Sequence, residues 1–171
     1  MNRQAQVARR TAETDITLTL RIDGSGQADV DTGVGFLDHM LTLLARHGGM
    51  DLTVRCAGDT RVDCHHTVED VGLCLGEALR SALGDKRGIV RYGTFHAPMD
   101  ESLARVALDL SGRPYLVFDA PMPAPRVGDF DTEMVEDFFR AVSNTGGITL
   151  HIASLYGRNT HHIIEGLFKA F

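Results

Sequence analysis

The chain reads as an α+β protein with an internal duplication, because helical and strand patterns recur twice in the same order. From Asp31, "DTGVGFLDHMLTLLARHGGMDLTVRCAGDTRVDCHHTVEDVGLCLGEAL" passes from Asp-Thr through an apolar-periodic stretch to a glycine pair, then an alternating stretch, then His-His-x-x-Glu. From Asp131, "DTEMVEDFFRAVSNTGGITLHIASLYGRNTHHIIEGLFKAF" repeats that order. A repeat of this kind constrains the architecture before any single element does. It divides one domain into pseudo-repeats of about residues 1–90 and about 91–171.

Each element follows from its spacing. Phe36, Leu37, Met40, Leu41 and Leu44 fall at helical intervals, as do Met134, Val135, Phe138, Phe139 and Val142. Gly48-Gly49 and Gly146-Gly147 supply the stops. "DLTVRCAGD" and "ITLHIASLYG" then alternate as strands do, with glycine-containing turns behind them. Val68, Val71, Leu75, Leu79 and Leu83 predict a second helix ending at Gly84, and Ile163, Ile164, Leu167 and Phe168 begin its counterpart. "DITLTLRIDG" and "GQADVDT" are strands of the first half; "GTFHAPM", "LARVALDLSG" and "RPYLVFDAP" lead into the second. This order predicts helices over one face of mostly antiparallel sheets. "APMPAPRVGD" is expected as a surface turn within the second unit rather than a linker.

At 171 residues the chain can build one sizeable core, or two half-domains sharing one. Its 43% hydrophobic and 23% charged residues are those of an ordinary globular protein. A formal charge of -6 argues against nucleic acid as the main partner, since phosphate backbones need a concentrated basic face. "MNRQAQVARRTAET" has basic residues with no apolar run behind them, so neither a signal peptide nor a membrane anchor is expected, and the cytoplasm is the default compartment. Cys56, Cys64 and Cys74 lack paired C-x-x-C spacing, which disfavours disulfides and zinc ribbons. Cys64 abuts a histidine pair and is either a ligand or a buried neutral thiol.

The two histidine clusters, His65-His66 with Glu69 and His161-His162 with Glu165, take half of the eight histidines. On a helix adjacent histidines diverge by about 100°, while a glutamate at the fourth position lies about 40° from the first and about 60° from the second. One cluster therefore serves two metal ions better than one. Two clusters supply two sites, with one histidine from each helix entering each. Imidazole plus carboxylate suits Mn²⁺, Fe²⁺ or Zn²⁺ and leaves positions for substrate or water. The spacing differs from the H-E-x-x-H of zinc peptidases. A single HHxxE would be read as surface histidines and helix-terminal acid; its duplication favours metal binding. His39 lies on the less apolar side of the first helix with Thr42 and Arg46, and alignment of the glycine pairs sets it opposite Asp137, a carboxylate in place of an imidazole.

The ordered set "RTAET", "DTGVGFLDHM", "ARHGG", "DCHHTVED", "RYGT", "PMDESLA", "SGRPYL", "FDTEMVEDFF" and "NTHHIIEGLFKAF" resembles the imidazoleglycerol-phosphate dehydratase family of histidine biosynthesis over essentially the whole chain. The resemblance implies two similar halves with four-stranded sheets covered by helices. It also implies a manganese enzyme with two ions per active site, built from trimers into twenty-four subunits, with active sites between subunits. The substrate would be imidazole glycerol phosphate, a small phosphorylated imidazole, and the product imidazole acetol phosphate.

Carried over residue by residue, one manganese site takes His39, His66, Glu69 and His162. The other takes His65, His161 and Glu165, with Asp137 where many relatives carry histidine. Glu13 matches the acid/base residue, and Glu165 is a second catalytic candidate for deprotonating the ring. Arg91 and Arg113 match the phosphate-binding arginines, with Lys169 a further phosphate-side candidate. His47 is a weaker substrate contact that would otherwise cap its helix. Taken singly, these acids and arginines would be read as solvated surface groups. The family pattern also continues past Phe171 with a tail that closes on the phosphate, so the resemblance implies a C-terminal segment absent from this sequence. Two other classes share the histidine clusters: a metal-dependent assembly or storage protein, and a metal-dependent hydrolase.

Overall fold

The computed structural model describes residues 3–171, so the first two residues of the basic N-terminal stretch lie outside it. The elements run β1 (Gln4–Arg10), β2 (Thr14–Arg21), β3 (Ala28–Asp31), α1 (Gly35–Gly48), β4 (Asp51–Gly58) and α2 (His65–Leu83) through the first half. The second half holds β5 (Tyr92–Met99), β6 (Ser102–Asp109), β7 (Tyr115–Asp119), β8 (Arg126–Val127), β9 (Phe130–Asp131), α3 (Met134–Gly146), β10 (Thr149–Tyr156) and α4 (Thr160–Ala170). The sheets order as β1-β2-β4-β3 and β5-β6-β10-β7, the same topology twice. Within each, the last-named strand pairs parallel to its neighbour and the others pair antiparallel.

Alternation along the central strands makes one face of each sheet apolar. Ile16, Leu18 and Leu20 of β2 and Leu52 and Val54 of β4 are buried under Val68, Val71 and Leu75 of α2. In the second half Ala104, Val106, Leu150 and Ile152 lie under α4, which contributes Ile164, Leu167 and Phe168. Gly49 and Gly147 close α1 and α3 in the left-handed conformation, at φ 65° and 61°, as the glycine pairs predict.

The helices do not stay within their own halves. α1 packs on α4, and α3 packs along α2, so each half sends its first helix to the second helix of the other. Gly72 and Gly76 of α2 permit the second approach. A Cβ on Gly72 would stand 2.8 Å from the Phe138 carbonyl oxygen, and one on Gly76 would stand 2.5 Å from that of Val142. Thr145 Oγ1 donates to the Leu73 carbonyl at 2.7 Å, tying the two helices where they come closest.

Two elements differ from the sequence expectation. β1 is a full strand, paired along its length with β2, within the stretch read only for targeting signals. Val7 is its one fully buried side chain, so the edge position leaves almost no apolar alternation to read. The expected turn "APMPAPRVGD" contains β8, which pairs with β9 in a small hairpin.

Candidate metal centre and active site

Both His-His pairs sit on the first turn of a helix, and both are fixed there by a side chain two residues upstream of the first histidine. Asp63 Oδ1 accepts the His65 backbone N–H at 2.8 Å. Asn159 Oδ1 accepts those of His161 at 2.9 Å and His162 at 3.4 Å. Side-chain acceptors satisfy amides that the helix itself leaves unpaired. The paired rings then diverge: His65 and His66 are 6.1 Å apart at 83°, and His161 and His162 are 6.4 Å apart at 81°.

The packing of α1 on α4 builds a cluster. His39, His161 and Glu165 each bring a ligand atom within 4.8 Å of the others. Glu165 Oε2 is 3.3 Å from His161 Nε2 and 3.9 Å from His39 Nε2, and Lys169 Nζ donates to Oε1 at 2.6 Å. Burial pushes the Glu165 carboxyl up, but the Lys169 ammonium, helped by His161 and His39, outweighs burial and leaves it below the usual carboxylate range. Two imidazoles and an ionised carboxylate, with no thiolate, form a donor set that fits a borderline-to-hard divalent ion.

The resemblance sets His39 with His66, Glu69 and His162 in a site shared between subunits, whereas the cluster within one chain joins it to His161 and Glu165. Within the chain His39 belongs with His161 and Glu165, because α1 crosses to α4 rather than to α2. α3, which carries Asp137, packs on α2, where His65 Nε2 lies 3.9 Å from Glu69 Oε2. Asp137 is half-buried, and among the described residues it does not join the His39 cluster.

His66 and His162 engage carboxylates through Nδ1. Asp59 meets His66 Nδ1 at 3.0 and 3.2 Å, and Glu101 Oε2 meets that of His162 at 2.8 Å. These partners raise both histidine pKa values. His162 and the Asn159 and Arg158 backbone N–H groups hold Glu101 well below the usual carboxylate range. Glu13 is exposed on the β1–β2 hairpin, near enough to His66 to contribute to its raised pKa. Thr11 Oγ1 accepts the Glu13 backbone N–H at 3.1 Å, and Thr14 Oγ1 donates to buried Asp70 at 2.5 Å.

The two arginines converge on one carboxylate. Arg91 meets Asp109 through Nε at 2.5 Å and Nη2 at 2.9 Å, while Arg113 Nη2 lies 3.9 Å from the same group. Arg91 holds Asp109 below the ordinary carboxylate range, and Asp109 raises Arg91 in return. This trio stands where β5 begins and β6 ends, whereas Glu101 and His162 meet at the β5–β6 hairpin. An eight-residue strand separates them, roughly 25 Å at the usual rise. Arg91 and Arg113 thus stand at the opposite end of the second sheet from His162.

Lys169 is committed to Glu165 rather than standing free for a phosphate. With exposed His47 on the last turn of α1 and Phe95 of β5, it lines a cleft of 390 Å³. A larger cleft of 680 Å³ touches His39, Asp63, Cys64, Arg126 and Asp131. The three cysteines are free, and burial pushes the Cys64 thiol up, in keeping with a neutral thiol rather than a ligand. Asp59, Glu101 and Asp109 were not singled out from sequence; each acts through a partner distant in the chain, so no local spacing marks it.

The family model for imidazoleglycerol-phosphate dehydratase matches residues 32–171. An imidazoleglycerol-phosphate dehydratase of Symbiobacterium thermophilum is 64% identical over 99% of this chain and 81% of its own length. That of Acetivibrio thermocellus is 60% identical over 100% of this chain and 88% of its own. Among solved structures, the Staphylococcus aureus enzyme superposes with a TM-score of 0.88 at 46% identity, covering 98% of this chain and 93% of that one. The Pyrococcus furiosus enzyme gives 0.84 at 35% identity, covering 96% and 88%. No helix among the described residues is long and apolar enough to cross a membrane. With the duplicated fold, the histidine helices and these relatives in agreement, the chain belongs to the imidazoleglycerol-phosphate dehydratase family, carbon–oxygen lyases of histidine biosynthesis.

Proposed function

We propose that this chain converts imidazole glycerol phosphate to imidazole acetol phosphate in the cytoplasm, with two Mn²⁺ ions per active site, as part of a twenty-four-subunit assembly built from trimers. The observation that carries the reading is the His39, His161 and Glu165 cluster on helices whose equivalents repeat its chemistry. His39, His161 and Glu165 would hold one ion, and Asp137, His65 and Glu69 the other. His66 and His162, diverging from their neighbours, would complete sites in adjoining subunits. The separation of Arg91 and Arg113 from His162 supports the same sharing.

The reaction is difficult because the carbon that loses a proton has no carbonyl beside it. Held by those residues, the two ions would supply Lewis-acid stabilisation of negative charge on the substrate imidazole, which takes up the electrons in place of a carbonyl. Glu165, ionised beside Lys169, accepts the ring N–H proton. The hydroxyl on the carbon next to the ring departs as water, taking a proton from Glu13, which is thereby left ionised. Glu13 removes the proton from the neighbouring hydroxyl-bearing carbon, and the resulting enol rearranges to the ketone. Arg91 and Arg113 clamp the phosphate, using the fork geometry that suits a dianion. Exposure leaves Glu13 free to meet substrate once a neighbouring subunit encloses it.

The test supplies imidazole glycerol phosphate to the assembled protein with and without Mn²⁺ and follows the keto product. Product formation that requires the metal is expected. Absence of product from metal-loaded protein would refute the proposal.

A further inference from the structure

We propose that Asp59 and Glu101 are positioning residues that aim His66 and His162, each fixing the ring by taking its Nδ1 and leaving Nε2 as the donor nitrogen. The inference rests on the metal reading above and adds two residues to it. An ionised carboxylate only accepts hydrogen bonds, so the contacts at 3.0 Å and 2.8 Å set Nδ1 as the protonated ring nitrogen. His65 and His161 differ, since their Nε2 atoms face the glutamate one turn along their own helix, at 3.9 and 3.3 Å. Each His-His pair therefore contains one ring steered by its own helix and one steered by a loop carboxylate.

Both loop carboxylates are themselves fixed. Glu101 Oε1 accepts the Arg158 N–H at 3.0 Å, the Asn159 N–H at 2.7 Å and the Ser102 hydroxyl at 3.1 Å. It therefore joins the β5–β6 hairpin to the residue that caps α4. Asp59 donates its backbone N–H to the Glu13 carbonyl at 3.0 Å, so the residue orienting His66 also holds the hairpin that carries Glu13. Second partners of this kind orient a ligating imidazole and raise its basicity.

The two supports come from different places in the repeat. The β1–β2 and β5–β6 hairpins are equivalent connections in sheets of identical topology. In the second half the hairpin glutamate, Glu101, is used on His162. In the first half the support comes from Asp59, just after β4, and among the described residues the Glu13 carboxylate accepts no hydrogen bond. Moving the support to Asp59 leaves the hairpin acid of the first half free for proton transfer.

Calorimetric titration of the assembled protein with Mn²⁺ tests this in the parent, Asp59→Ala, Glu101→Gln, His66→Ala and the Asp59→Ala/His66→Ala double variant. The parent is expected to take two ions per protomer. Asp59→Ala should weaken one ion by about 10- to 100-fold and spare the other. Glu101→Gln should weaken the other ion and provides the second arm if Asp59→Ala fails to assemble. Because Asp59 acts through His66, adding Asp59→Ala to His66→Ala should cause no further loss. Parent-like binding of both ions in Asp59→Ala and Glu101→Gln would overturn the inference, as would an equal Asp59→Ala effect with and without His66. A parent that takes up no Mn²⁺ would overturn the metal reading itself.

Discussion

Glu165 stands 3.3 Å from Nε2 of His161 and holds the Lys169 ammonium at 2.6 Å with its other oxygen. One buried carboxylate thus faces an imidazole on one side and a fixed cation on the other. Glu165→Gln keeps the shape and removes the charge. We expect it to lose one of the two bound Mn²⁺ ions and to reduce turnover by 100-fold or more, on the order of 3 kcal/mol. Metal analysis beside a keto-product assay checks both.

Arg91 pairs with Asp109 through two nitrogens, a geometry that lysine cannot reproduce. Arg91→Lys should therefore raise KM for the phosphorylated substrate by about tenfold, near 1.4 kcal/mol, while Mn²⁺ stoichiometry stays at the parent value. Steady-state kinetics with a metal count separates the two effects.

Gly76→Ala places a methyl group against Val142 and Thr145, where α3 meets α2. Overpacking of this kind costs about 1–3 kcal/mol. For a chain of this size that lowers Tm by roughly 3–10 °C. Gly35→Ala, with nothing within 4 Å of the added Cβ, should leave Tm nearly unchanged. Thermal melting of the pair measures the closeness of the helix contact.

Burial pushes the Cys56 and Cys74 thiols up to about 11 and about 12. A folded-state pKa raised above the unfolded one gives stability that is whole below the unfolded thiol value and is lost as pH rises through the folded one. Denaturation midpoints should therefore fall between about pH 9 and 12, and Cys74→Ala should flatten part of that fall. At neutral pH, Cys74 should resist thiol reagents until the protein unfolds.

Much of this architecture is legible in the chain. Ile16, Leu18 and Leu20 alternate because one face of β2 is buried, and the glycine pairs mark where α1 and α3 must turn. The duplicated HHxxE marks His161 and Glu165, two of the three side chains that the fold gathers into a cluster able to hold a metal ion. What the chain conceals is crossing and support. His39 could be assigned to its cluster only once α1 was seen against α4, a contact no local spacing encodes. Gly72 and Gly76 look like weak points in a helix until α3 is laid beside them. β1 escapes notice because an edge strand buries little beyond Val7. Asp59, Glu101 and Asp109 are ordinary surface acids until folding brings His66, His162 and Arg91 to them.

The central claim is that two repeated helices build two distinct metal sites, and a count of bound Mn²⁺ tests it most directly. The parent should hold two ions per protomer, His65→Ala and His161→Ala one each, and the double variant none. Full occupancy in both single variants would contradict the account.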